Sequence, residues 1–415
     1  MTMRPAIFSI PVALLLLVLA PSVRADAWVL TTADLLPRPV QLESISANAV
    51  TADERSIPLA QLVSLRRRLE GKQSQGFTLQ LVNGDRYTGQ PSAVVKDALT
   101  WVSPALGKLS VPLAQLVAIS RSTAVLSAEA APRQDVATLQ SGDTVAGVFA
   151  DCQDEKISIQ TDAGSTEIPL ANLRSLMLAS TGAAAATPTS PMFRIELVDG
   201  TVATCSDVTL THGTLTVAVA GQLSAPVDVP LSAVIGIERV NGAVRWLSSC
   251  VPIEAVQQDY FGGARSWPAR FDASVDGGPL MFNRQLFPHG IGVHAYSKLS
   301  FAIDPAWTRF QTRYAMESPS DGGSAEASAE ASAEADVAVR ILVDGNRVYE
   351  QLHLRPGILS QPVLVDLRGV KILTLECDYG SRGDVQARLD WLQAALMRPT
   401  TPAEPSNPAP AGNRP

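Results

Sequence analysis

Seven side chains, read as lying on loops, pair flat aromatic faces with planar polar groups. Trp267, Tyr260, Phe261 and Tyr379 offer flat faces for the apolar side of a pyranose. Arg265, Arg270 and His294 offer planar polar groups for its hydroxyls. Because hydroxyl hydrogen bonds mostly exchange with those of water, an exposed ring must supply much of any affinity. Trp267 follows Gly262-Gly263-Ala264-Arg265-Ser266 and precedes Pro268, which places it on a loop. Its competing role is a plug at the end of a core, where tryptophan often goes.

Other chemistry is weaker. Gly290-Ile291-Gly292-Val293-His294-Ala295 has the spelling of a dinucleotide fingerprint, but the stretch downstream, Ser300 to Ile303, is strand-like and not helical. The glycines there read as room for a bend and a close backbone neighbour. His289 and His294 lack a third His or Cys nearby, so His294 reads as a hydrogen-bonded structural residue sooner than as a metal ligand. A structural calcium ion is compatible with Asp366, Asp378 or Asp384 as oxygen donors, without a specified cage. No other cofactor is expected. Arg382-Gly383-Asp384 spells an adhesion tripeptide that is common by chance. There is no G-x-S-x-G and no HExxH. Glu254, Asp259, Glu376 and Asp390 are carboxylates that a glycosidase would need in pairs. The chain reads as small β domains throughout, leaving no room for a catalytic barrel, so no enzyme is expected.

The elements that must position these residues are strands. From Asn241 to Met397 the pieces run in order: Trp246-Leu247-Ser248, Leu280 to Phe287, Gly290 to Ser297, Leu299 to Ile303, Phe310 to Tyr314, Val339 to Gly345, Val363 to Val370, Leu373 to Cys377, and Asp390-Trp391-Leu392. Leu299, Phe301 and Ile303 share one face at period 2, and Asp344-Gly345 is a hairpin turn. Short strands with no long amphipathic helix argue an antiparallel sandwich. Trp246, Trp307 and Trp391, in or beside strands, read as core. The ordered set resembles the NPCBM family of carbohydrate-binding modules over residues 241–397. The resemblance implies a galactose-binding-like jelly-roll sandwich whose partner is a glycan, galactose-containing glycans among the candidates. It departs at Ser318 to Asp336, where Ser-Ala-Glu-Ala recurs from Ser324, Ser328 and Ser332; this insertion reads as unable to bury apolar surface and dispensable for folding.

The first half is repetitive. Ile57-Pro58-Leu59-Ala60-Gln61-Leu62 recurs as Val111 to Leu116, Ile168 to Leu173 and Val229 to Val234, at spacings of 54, 57 and 61 residues. Before the last three lie Asn83-Gly84-Asp85, Ser141-Gly142-Asp143 and Asp199-Gly200-Thr201, expected as tight turns with positive φ at both central residues. The units are 26–70 (the most degenerate), 76–121, 136–180 and, after a linker at 181–192, 193–240. Each reads as four or five strands, and the order of marks weakly resembles Sm-like small barrels, which implies a barrel-like shape. The fold class is therefore all-β: tandem small barrel-like repeats, then the sandwich. The repeats read as a scaffold or spacer, the lesser alternative being contacts with an envelope protein. That alternative extends to the whole chain if the sandwich has lost sugar binding.

Composition narrows the partners. Residues 1–25 read as a secretory signal: Arg4, the apolar run Val12 to Ala20, and Val23-Arg24-Ala25 before a mature start at Asp26. The run is too short to span a membrane, so no insertion is expected after cleavage, and the protein is expected to be secreted, periplasmic or in the cell envelope. The net charge of −7, without a Lys/Arg cluster, excludes a nucleic-acid partner. Cys152, Cys205, Cys250 and Cys377 form no CxxC pair. Bridges 152–205 and 250–377 and four isolated buried thiols both remain open. Residues 398–415 are a Pro-rich tail to which no structure is assigned.

Overall fold

The computed structural model describes residues 28–67, 76–121, 132–179, 190–222, 225–262, 267–283, 285–317 and 335–399. The expected export signal, the 181–192 linker up to residue 189, the Ser-Ala-Glu-Ala insertion up to residue 334 and most of the Pro-rich tail lie outside these residues. Among the described residues no helix is long and apolar enough to cross a membrane.

The first half is built from strands in four sets. They are β1 (Trp28–Thr32), β2 (Pro37–Val40), β3 (Leu42–Ile45), β4 (Ala49–Ala52), β5 (Arg55–Pro58) and β6 (Leu62–Arg66); β7 (Phe77–Leu81), β8 (Arg86–Val95), β9 (Ala98–Ser103), β10 (Gly107–Pro112) and β11 (Leu116–Ser120); β12 (Asp135–Leu139), β13 (Thr144–Gln153), β14 (Lys156–Thr161), β15 (Gly164–Pro169) and β16 (Leu173–Met177); and β17 (Met192–Leu197), β18 (Val202–Thr211), β19 (Thr214–Val219), β20 (Val227–Pro230) and β21 (Val234–Val240). Within the second set the pairing order is β11-β7-β8-β9-β10, and no pairing of β10 with β11 closes a barrel. The first set is less degenerate than its sequence suggests: β2 and β3 together take the place of one long second strand.

The repeated phrase has a local cause. Pro58, Pro112, Pro169 and Pro230 end edge strands, with φ between −54° and −62°. The next leucine opens one 3-10 turn, and its N–H is caught by Asn48, Asp97, Glu155 or Gly213 carbonyl at 2.7–2.9 Å. The glycine turns differ from expectation. In Asn83-Gly84 and Asp199-Gly200 only the glycine has positive φ, because four residues, not two, join the strands. In the repeats the two-residue turns with both φ positive are Asp53-Glu54, Lys96-Asp97, Asp154-Glu155 and His212-Gly213.

The closing strands pair between units, β6 with β21 and β11 with β16. Arg67 and Arg121 each reach across that pairing to carbonyls of the partner unit's 3-10 turn and last strand, Leu231 and Val234 or Leu170 and Leu173. One continuous apolar core, including Leu65, Ile119, Leu176 and Ile237, runs through all four units. All four cysteines are free thiols, so neither bridge forms.

The second half is a sandwich of β22 (Val244–Trp246), β23 (Glu254–Gln257), β24 (Arg270–Phe271), β25 (Met281–Phe282), β26 (Gln285–Leu286), β27 (Gly290–His294), β28 (Ser297–Ala302), β29 (Arg309–Met316), β30 (Val337–Val343), β31 (Asn346–Leu354), β32 (Val363–Asp366), β33 (Ile372–Tyr379) and β34 (Arg388–Met397). One sheet has the order β24-β27-β34-β29-β32, with β22 also on β34; the other is β23-β28-β33-β30-β31. Ile291, Val293, Phe310, Tyr314 and Trp391 of the first meet Phe301, Val339 and Leu375 of the second. Trp307 and Trp391 are core, as expected, but Trp246 is only half-buried.

Trp246 belongs to the junction of the two halves. Its indole N–H donates to Glu238 of β21 at 2.6 Å, and its ring stacks on His289 at 4.6 Å. His289 lies 3.1 Å from Glu238 through Nε2 and 3.3 Å from Asp272 through Nδ1. Beside this group Leu35 and Val63 of the first unit pack on Val244, Ala395 and Met397.

Candidate functional site

The site begins with the register of two strands. β27 and β34 run antiparallel with Gly290 opposite Leu392, Gly292 opposite Asp390 and His294 opposite Arg388. Ile291 and Val293 point into the sandwich, so the glycines and His294 face outward. The segment from Asp272 to Phe282 lies directly over the glycines. A side-chain carbon on Gly292 would come within 2.5 Å of the Ala273 carbonyl and the Val275 nitrogen, and one on Gly290 within 2.4 Å of the Trp391 carbonyl. The glycines therefore serve close approach, within a strand and not at a bend. No helix succeeds them, which removes the dinucleotide geometry.

His294, one step beyond that cover, is 7% exposed. Trp267 stacks on it at 5.3 Å with the ring planes 15° apart, and 43% of Trp267 stays exposed. A core plug would not keep that exposure. His294 Nδ1 donates to the Ala295 carbonyl at 2.8 Å, which leaves Nε2 as an acceptor while the ring is neutral. Burial pushes its pKa below the ordinary imidazole value, and neighbouring Arg388 acts the same way. Arg388 lies 5.9 Å from the Trp267 ring centre and donates to Asp276 at 2.5 Å, with Glu317 3.8 Å away. Among the described residues its Nε is buried without a hydrogen-bond partner. The arrangement is an aromatic face backed by an imidazole, with a guanidinium and its partner carboxylate beside it. It can hold an apolar ring edged by hydroxyls.

Tyr260 and Tyr379 form a second group, edge to face at 5.1 Å. The Tyr260 N–H donates to Asp384 at 3.0 Å, and Asp384 is one of the charges acting on His294. Arg270 is exposed, but its Nε donates to the Val275 carbonyl at 2.9 Å and its guanidinium lies along Gly277. It thus props the segment carrying Asp276. Arg265 lies outside the described residues. The adhesion tripeptide is not openly presented: Gly383 is buried under the Tyr260 ring and Asp384 is taken by Tyr260.

Sequence reasoning misses Arg388 and Asp276. Arg388 has no signal short of the cross-strand register. Asp276 has one, since Val275-Asp276-Gly277 has the chemistry of a turn.

The carboxylates considered for hydrolysis are scattered. Glu254 pairs with Lys298, Glu376 with Arg340, and Asp390 lies buried on the other sheet. Asp366 is paired with Arg368 and Asp378 with Arg340, and among the described residues no three His, Cys, Asp or Glu gather as metal ligands.

Residues 244–397 match the family model of the NPCBM/NEW2 domain. Among solved structures, the CBM51 module of a GH95 protein from Clostridium perfringens, in complex with methyl-galactose, is 18% identical; the alignment covers 37% of this chain and 99% of that one, with a TM-score of 0.31. CBM51-2 with the INT domains of Clostridium perfringens ZmpB, in complex with GlcNAc, is 20% identical over 47% of this chain and 38% of that one, with a TM-score of 0.32. The tandem CBM51 modules of Sp3GH98 from Streptococcus pneumoniae are 11% identical over 87% and 93%, with a TM-score of 0.31. Among curated proteins none matches the sequence.

Proposed function

We propose, with the NPCBM/NEW2 match of residues 244–397 as the premise, that the sandwich is a non-catalytic glycan-binding module of an exported protein. The Trp267 face, bordered by His294, Arg388 and Asp276, is its binding site, and a galactose-containing glycan is the first candidate. The observation that carries this reading is the Trp267 ring: backed by His294 on one side, still 43% exposed, and edged by polar groups. A pyranose offers the matching pattern of apolar face and hydroxyl rim. The repeats serve as the scaffold that carries the module.

Trp267→Ala tests the reading. Affinity electrophoresis in glycan-containing gels should show retention falling about tenfold or more, since about 1.4 kcal/mol of lost stacking and burial is a factor of ten. The melting temperature should stay nearly unchanged, because the ring supports no core. Unchanged retention in a stably folded variant removes Trp267 from the site. Loss of folding would restore the plug.

A further inference from the structure

Phe261 is 90% exposed and Tyr260 53% exposed, a large apolar surface left open to water. Yet the turn beneath them is firmly held. The Phe261 N–H donates to the Asp259 carboxylate at 3.0 Å and the Gly262 N–H to the Asp259 carbonyl at 3.1 Å. The Tyr260 ring lies over Gly383, where a side-chain carbon would sit 3.1 Å from it. Tyr379, which it meets edge-on, is itself fixed by its hydroxyl donating to the Gln258 carbonyl at 2.9 Å. A ring presented this way loses little further freedom when something stacks on it.

We infer that Tyr260 and Phe261 form a second sugar subsite, which takes a further ring of a longer glycan whose terminal ring sits on Trp267; this rests on the glycan-binding reading above. Two observations join the two platforms. Asp384, which anchors Tyr260, also acts on His294 under Trp267. Five residues separate Phe261 from Trp267 in the chain. At about 3.6 Å per residue their backbones lie at most about 22 Å apart, within the length of a short oligosaccharide. The setting also suits sugar over the alternatives. Carboxylates of Asp259 and Asp384 border the rings, which is right for hydroxyls and wrong for an anionic lipid surface. Two rings expose at most about 500 Å² even if both were bare, short of the roughly 800 Å² per partner of a stable protein interface.

The test uses the full chain on an array carrying galactose, N-acetylglucosamine and mannose, each as the monosaccharide and as the terminus of a tetrasaccharide. The wild type should hold its preferred tetrasaccharide more tightly than the matching monosaccharide. Phe261→Ala should weaken the tetrasaccharide by about tenfold and leave the monosaccharide unchanged, whereas Trp267→Ala should weaken both. A melting curve confirms that Phe261→Ala is folded, as its exposure leads one to expect. Equal retention of both forms by wild type and Phe261→Ala, or equal losses on both, overturns the subsite and leaves the Trp267 reading standing. If the wild type retains none of the six probes, the glycan-binding reading fails and takes the subsite with it.

Discussion

Glu238→Gln tests how the repeats hold the sandwich. The Glu238 side chain is 12% exposed and the His289 side chain 18%. Burial alone would push Glu238 up; the charge of His289 and hydrogen bonds from His289 and Trp246 outweigh it and hold the carboxyl down at about 2. Burial alone would push His289 down; Glu238 and Asp272 outweigh it and raise the imidazole to about 10. Removing one partner of a buried pair costs roughly 3–5 kcal/mol, and the lower end applies because both side chains keep some contact with water. At about 2–4 °C per kcal/mol, a loss of about 3 kcal/mol lowers the melting temperature by roughly 6–12 °C. The pH dependence has a definite sign. His289, raised in the folded state, stabilises fully below its ordinary value of about 6.5, and the benefit is lost as pH climbs toward about 10. Glu238, lowered, stabilises above about 4.5 and loses its effect toward about 2. Urea unfolding followed by tryptophan fluorescence should therefore show stability falling above about pH 6.5 by up to about 1.4 kcal/mol per pH unit in the wild type. His289→Gln should be flat across that range. In a double-mutant cycle the two substitutions should be non-additive by about 1 kcal/mol or more. Additivity within about 0.5 kcal/mol, together with a flat alkaline limb in the wild type, would refute the reasoning.

The packing sets two further outcomes. Gly292→Ala must move the backbone of Ala273 to Val275 and with it Asp276; the melting temperature should drop by several degrees, at about 2–4 °C per kcal/mol, and glycan retention should be lost, with unchanged retention in a folded variant the contrary result. Replacing residues 318–334 by a short Gly-Ser loop should leave the melting temperature nearly unchanged, while Asp336→Ala in the same background should lower stability by about 1–3 kcal/mol, since Asp336 is buried and accepts from His353 and from the Ser381 N–H and hydroxyl; equal melting temperatures for the two would count against that anchor.

Legibility in the sequence tracks the range of the interactions. Strands and turns are local, and Phe301, Asp344-Gly345 and the Pro-Leu-Ala phrases declare themselves by period and turn chemistry. Composition extends the insertion two residues too far, because it says nothing of Ala335 and Asp336 being buried where the chain rejoins the sheet. The Trp267–His294 contact is half readable: both residues stand out by type, but what joins them to Arg388 is the register of β27 on β34, between residues ninety-four positions apart. The pairing of closing strands leaves a trace that only the structure explains. Arg67, Arg121 and Arg239 share one place in the repeat and lie over the aromatic that opens each unit, Trp28, Phe77 or Phe193. In the third unit Leu178 stands where the arginine would be. Nothing local links Glu238 to His289, fifty-one residues on, or either to Asp272.

The same two strands carry both the junction and the site, at opposite ends. β27 begins at Gly290, next to His289 and its contact with the fourth repeat, and ends at His294 under Trp267. β34 begins at Arg388 beside Trp267 and ends at Met397, packed on Leu35 and Val63 of the first repeat. At about 3.3 Å per residue, the ten residues of β34 put roughly 30 Å between those ends. The first and fourth repeats, which make these contacts, are joined to each other through β6 and β21, so the sandwich rests on a paired base and not on a single linker. A domain gripped at one end, with its exposed aromatics at the other, has the polarity that the proposed glycan-binding surface calls for. Flexible tethering would let the sandwich turn relative to the repeats; the buried contacts of His289 and Met397 oppose that rotation.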